Sequence, residues 1–402
     1  MLAEELTLDH LTDHLKPHGD WQPCPTIEDR DFWDRLPDPW IAALREAGEN
    51  ASNKDWPHLS ATLLLDYARH GTRETYQPPH FLRRQILHDL VLAECVEAQG
   101  RWLDAIGDAV WSICEESFWG WPAHIHGLPD VTRPNVDLGV GETASLIGWT
   151  RYLLADRLDV VSPQLNRRMS HETHARGVEA CLEADQAWMG FPDATPNNWN
   201  PWICSNWLTA ALVFEADHDL RVRHVNRIAR AMDRFLAGYG EDGGCDEGPG
   251  YWGRAGASLI EALLRIEQAM DVPLGALRQT KIQNMARFVC HARISEEYAV
   301  NFGDASAHGR PDPTVVRQLA TLTNDPDMLA YAATLPSGLP RGGRGCIARV
   351  IPSLVAASEG GVIEPDHNDG RWLRRDVYLP SIEVMLARHE AGSTRGLTLA
   401  AN

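Results

Sequence analysis

Between Pro57 and Thr334 the chain carries one helical period after another and almost no strand-like alternation. Such a stretch cannot form a sheet, so the middle of the molecule has to bury its apolar stripes helix against helix. In 254–270, for example, Leu259, Leu263, Ile266 and Met270 fall on one helix face, and Ile260 and Leu264 widen it, as in a helix packed on two sides. The spacing predicts helices over 58–71, 79–99, 101–117, 140–155, 163–186, 202–216, 219–237, 254–270, 275–293 and 314–334. Some connectors are short, such as "ADRLDVVSP". Four are long and rich in Gly, Trp, His and Asn: 118–139, 189–201, 238–253 and 301–313. The expected fold is therefore mainly α, an incomplete α/α toroid of paired helices whose longer loops build a cleft at one end. No fixed-period repeat supports a solenoid.

The pattern differs at both ends. Residues 1–55 are polar and proline-containing and read as an N-terminal extension with short helical stretches at most, ahead of a toroid domain over 56–345. From 346 to 402 the chain reads as the beginning of an antiparallel β-domain, cut short. There "GCIARVIPSLVAA" and "GGVIEP" look extended, and "SIEVMLARHEAGSTRGLTLAAN" reads as strand, turn, strand. A lone hairpin is marginal in water and leaves open edges.

The net charge of −19 argues against a nucleic-acid partner, which calls for a basic surface. No stretch approaches the roughly 20 apolar residues of a membrane span, so no membrane partner is expected. The opening "MLAEELTLDHLTDHLKPHGDW" has early acids and no apolar run after a basic segment, unlike a signal peptide, and the expected location is cytoplasmic. The eight cysteines have neither CxxC nor zinc-like spacing and read as buried thiols.

Four loop segments concentrate chemistry. "NNWNPWICSNW", Asn197 to Trp207, packs four amides and three tryptophans where a helix begins. Pro201 suits the first helical turn and Asn200 the N-cap. Asn197 and Asn198 remain, as neutral donors able to grip a carboxylate or sugar hydroxyls beside Trp199. "GYGEDGGCDEGPGYWGRAG", 238–256, surrounds Glu247, Tyr251 and Arg254 with glycines that allow close backbone approach. In "WGWPAHIHGLPD", 119–130, Trp119 and Trp121 suit stacking on a sugar ring, and His124 and His126 suit donation to it; the HxH pair lacks a third ligand, and no metal is expected. "NFGDASAHGRPDP", 301–313, supplies Asp304 and His308.

The order "PAH", "DLGVGETASLIGWTRYLL", "NNWNPWICSNWL", "DGGCDEGPGYWGRAG" and "NFGDA" resembles the helical part of heparinase II/III-like proteins, a group related to alginate and oligoalginate lyases. The resemblance spans about residues 57–402, and "EGPGY" is its most specific piece. It implies an α/α toroid followed by a β-sandwich-like domain, no cofactor, and an acidic polysaccharide or oligosaccharide as partner. The implied reaction is β-elimination: a base removes the proton at C5 of a uronic acid and an acid protonates the leaving oxygen at C4. Charge accumulating on the substrate carboxylate must then be neutralised. By position in the family pattern, Asn198, with Asn197, is the neutralising amide and Tyr251 the catalytic tyrosine. Many relatives use histidine near here, and this chain has Trp199 after Asn198.

A free phenol has a pKa near 10, and lowering it by two to three units takes about 3–4 kcal/mol, so the acid role suits a tyrosine better than the base role. The resemblance also implies a further histidine from the β-domain. Only "DHND", 366–369, echoes it, and the chain reads as a fragment with an incomplete site. Two other functions remain open: a glycoside hydrolase using Asp242, Asp246, Glu247 or Asp304 as its carboxylate pair, and a non-catalytic carbohydrate-binding module.

Overall fold

The computed structural model describes residues 1–340, 346–360 and 366–401. The protein is mainly helical, with one small three-stranded antiparallel sheet near the C-terminal end. Two helices form its centre. Leu138–Val161 and Trp199–Phe214 pack on each other, and every residue of the second from Asn200 to Phe214 is buried. A helix apolar on all sides has to lie inside the molecule. Around this pair, Pro163–Thr173 packs on Leu138–Val161, while His218–Gly238 and Gly256–Ala269 pack on Trp199–Phe214. Contacts then pass in chain order from Gly256–Ala269 to Thr280–His291 and on to Pro313–Thr323 and Pro326–Thr334. Among the described residues no helix is long and apolar enough to cross a membrane.

Several elements depart from expectation. The N-terminal segment contains a full helix, Asp38–Ser52, which packs on Gln77–Glu97. Its polar composition hid three inward residues, Leu44, Gly48 and Ala51. Leu2, Leu6, Leu11, Trp21 and Trp33 are also buried, and the Asp233 carboxylate accepts hydrogen bonds from the backbone N–H of Leu2 and Ala3 at 2.7 and 2.9 Å. The helix expected over 163–186 widens into a π turn at His174–Val178, and the one over 314–334 breaks at Asn324. There Asn324 adopts the left-handed conformation, Asp325 caps the next helix and Pro326 starts it. "GCIARVIPSLVAA" is not extended. Ile347–Arg349 is a 3-10 turn and Ile351–Ser358 an α-helix burying Ile351, Leu354 and Ala357. A short apolar run has no period long enough to separate strand from helix. Most of "GGVIEP" and the boundary proposed at 345 lie outside the described residues.

The hairpin expected near the end is present. Strands β1 (Asp376–Leu379), β2 (Val384–Arg388) and β3 (Thr398–Ala401) pair in that order, with Tyr378 opposite Met385 and Leu386 opposite Ala400. Leu379, Val384 and Leu386 point into the same continuous hydrophobic core that holds the helices. Buried Arg388 donates to the carbonyls of Arg293 and Ile294, fastening β2 to the end of Thr280–His291. The turn between β1 and β2 is held at a second point: Ser381 donates its backbone N–H and its hydroxyl to Asp242, at 2.8 and 2.5 Å.

Candidate functional site

The helix Trp199–Phe214 begins two residues earlier than the cap motif suggests. Asn197, exposed, accepts the Trp199 N–H at 3.1 Å just ahead of the helix, and the N-cap position is Asn198 rather than Asn200. Asn200 lies inside the first turn, fully buried, and its amide bridges the carbonyls of Trp188 and Ala231 at 3.1 and 2.9 Å. The expected amide pair therefore divides. Asn197 shapes the helix start, while Asn198, 3% exposed, donates across the site to Glu247 Oε2 at 2.9 Å.

Glu247 reaches that amide because two loops close tightly. Gly248 and Gly303 both have positive φ, and a Cβ on either would collide with a backbone carbonyl of the other loop, Phe302 O at 2.4 Å or Glu247 O at 2.6 Å. The contact brings Asp304 beside Glu247. Burial raises the Glu247 pKa above the ordinary value, neighbouring Asp246 raises it further, the Asn198 amide opposes both, and Asp304 adds a last upward push. Tyr251 follows on the same turn. It is half-buried against the core, its carbonyl accepts the N–H of Arg254 and Ala255 at 2.8 and 2.9 Å, and among the described residues its hydroxyl has no hydrogen-bond partner.

A second cluster adjoins the first. Asp137 caps Leu138–Val161 through the Val140 N–H at 2.9 Å. Its other oxygen accepts the Trp121 N–H at 2.8 Å and faces His124 Nδ1 at 2.6 Å. A carboxylate can only accept, so Nδ1 donates this bond, and in the neutral imidazole the acceptor nitrogen is Nε2. The His124 ring lies 4.2 Å from that of Trp199 and 5.4 Å from that of Trp121. Trp121 in turn meets Trp202 at 6.2 Å, and the Trp202 indole donates to Glu142 at 3.1 Å. Arg254 closes the circuit, 3.4 Å from Glu142 and stacked over the Trp202 ring at 4.5 Å.

His124, Asn198, Trp199, Glu247, Arg254 and Asp304 are thus joined by direct contacts or near neighbours, with Tyr251 on the intervening turn. Other expected residues lie elsewhere or are closed off. Trp119 is no stacking platform: it is 0% exposed, its indole donates to Ile113 O at 2.8 Å, and Arg176 covers its ring. Trp121 is nearly as buried, 5.4 Å edge-on to Phe81, and supports His124. His126 is exposed and lines a cavity of about 650 Å³ with His124. His308 packs on Tyr298 at 4.6 Å, outside the contact circuit, and His367 of "DHND" pairs with Glu296 at the surface. Among the described residues no group of three His, Cys, Asp or Glu side chains could hold a metal ion.

Asp137, Glu142 and Trp202 are the members that sequence reasoning missed. Asp137 had a signal, an aspartate just before an apolar helix start, but nothing in the spacing tied it to His124 thirteen residues back across a loop. Chemically, the arrangement offers an imidazole held by a carboxylate, an amide with a second N–H to spare, a carboxyl whose pKa is raised, and a phenol without a hydrogen-bond partner among the described residues. No protein-family model matches this chain, and no curated protein matches it.

Proposed function

We propose that the protein is a polysaccharide lyase that cleaves the C4–O bond of uronic-acid polymers by β-elimination, its helices closing into the α/α toroid of the heparinase II/III-like group. The observation that carries this is the contact circuit joining His124, Asn198 and the Tyr251 turn, three segments far apart in sequence. Elimination needs those three functions within reach of one sugar.

His124 Nε2, oriented by Asp137, accepts the C5 proton. Asn198 donates one amide N–H to Glu247 and has the other available for the substrate carboxylate, where charge builds as the enolate-like state forms. Glu247, which accepts the first N–H, holds the Asn198 amide in place. The Tyr251 hydroxyl protonates the departing C4 oxygen, a role that needs no lowered pKa. Arg254, held by Glu142, contributes positive charge at the rim. His124 supplies the imidazole from within the helical part.

The second function with an observation behind it is glycoside hydrolysis, since a glutamate with a raised pKa among other carboxylates suits a general acid. Incubation with heparin-like, chondroitin-like and alginate-like polymers separates the two. Elimination creates an ultraviolet-absorbing C4–C5 double bond, and hydrolysis yields reducing ends without it. New absorbance that disappears in Tyr251→Phe and Asn198→Ala supports the lyase. Reducing ends alone support the hydrolase, and saccharide binding with neither product leaves a carbohydrate-binding module.

A further inference from the structure

On another part of the molecule a cavity of about 440 Å³ opens between the N-terminal segment and the two central helices. The volume lies in the range typical of small-ligand sites, about 300–1,000 Å³. Its lining includes the rings of Trp21 and Tyr152, 6.0 Å apart, and the apolar side chains of Leu212 and Val213. Arg151 enters the same lining from Leu138–Val161. Its guanidinium rests over the Phe214 ring at 5.1 Å, and among the described residues it has no hydrogen bond and no carboxylate within 4.0 Å. Two other polar groups line it: exposed Asp29, whose carboxylate caps a helix through the Phe32 N–H at 3.2 Å, and His18, bonded to Val213 O at 2.9 Å. The indole N–H of Trp21, a residue only 3% exposed, also lacks an acceptor.

A partly buried cation without a close counter-charge is costly to maintain. Here it stands in the wall of an aromatic cavity. An anion with an apolar body suits that wall: its carboxylate meets the planar fork of Arg151, and its ring fills the space against Trp21 and Tyr152. A doubly charged phosphate would be poorly matched to one guanidinium and apolar walls. We infer that this cavity is a binding site for a ring-bearing monocarboxylate, independent of the site that holds Tyr251. Burial also lowers the Arg151 pKa, against a smaller opposing pull from Asp159.

Calorimetric titration of the full chain with benzoate, glucuronate and the neutral analogue benzamide tests this. At least one of the two acids is expected to bind at one site per chain with Kd at or below about 1 mM, and benzamide at least about tenfold more weakly. Arg151→Met should weaken the acid about tenfold or more. Ala155→Phe, which fills the cavity and leaves the charge in place, should do the same. If thermal unfolding shows that Arg151→Met does not fold, Arg151→Lys replaces it, with an intermediate loss expected because the charge remains and the fork is gone. Saturable binding by neither acid, equal binding of benzamide, or acid binding unchanged in the folded variants would overturn the assignment. Preference for benzoate or for glucuronate identifies the ring as aromatic or sugar.

Discussion

Asp137 and Glu247 are two carboxylates on neighbouring loops with opposite surroundings. Asp137 is 0% exposed and both its oxygens are engaged, by two backbone N–H groups and an imidazole. Glu247 has one amide donor and two acidic neighbours, Asp246 and Asp304. The first carboxylate is used up by the fold and in return fixes a histidine. The second is left under-satisfied, and its proton is held more tightly than usual. Burial alone does not mark a functional acid; what distinguishes them is how many donors the backbone has already committed.

The region around Asp137 should therefore register mainly in stability and the region around Glu247 mainly in turnover. The largest effect is expected from Tyr251→Phe. It should lower the rate of double-bond formation by about 10²–10⁴ while moving the unfolding free energy by less than about 0.5 kcal/mol, since the hydroxyl has no partner to lose. A large loss of stability instead would place Tyr251 with the structural residues. Trp119→Ala should cost about 3–5 kcal/mol in denaturant unfolding, the mark of a core tryptophan, and a change confined to saccharide affinity would reverse its placement. Asp137→Asn keeps one acceptor oxygen but cannot take all three donors, and should cost about 2–3 kcal/mol. It should also cut turnover by freeing the His124 tautomer, an effect readable as a shifted pH–rate profile.

The smallest effect expected on stability is that of Glu247→Gln, seen only in its pH dependence. A carboxyl whose folded pKa is raised contributes stability below its ordinary value, 4.5, and loses it as pH rises through the folded value. The wild type should thus lose ground to the variant over that interval, and parallel stability curves would contradict the assigned direction.

Much of the helical layout was legible because long amphipathic periods leave little choice. The sequence was least informative where a short run or a polar surface hid the inward residues, as in Ile351–Ser358 and Asp38–Ser52. The break at Asn324–Asp325–Pro326 was written in cap residues that a scan for apolar period passes over. In the site, loop composition pointed to the right segments but not to the division of labour within them. Asn197, Asn198 and Asn200 look alike in sequence, yet one shapes a helix start, one reaches a glutamate and one ties down two carbonyls. That division depends on partners supplied by Trp188, Ala231 and Glu247, which only the folded chain brings near. The same holds for Trp119, whose loop setting suggested a ligand platform and whose ring is sealed by Arg176.

The bond pair from Ser381 to Asp242 gives the small sheet a mechanical role. Asp242 sits two residues before Gly244, at the root of the loop that carries Glu247 and Tyr251. Burial works to raise the Asp242 pKa, but the Ser381 hydroxyl and N–H and the Gly244 N–H outweigh it and leave it below the ordinary value, so the fastening survives to lower pH than an ordinary aspartate would allow. A load applied to the β1–β2 turn would pass through these two hydrogen bonds into the glycine loop. Force on the hairpin would then reach the tyrosine's anchorage by this route as well as the helical core through Arg388 and Leu386.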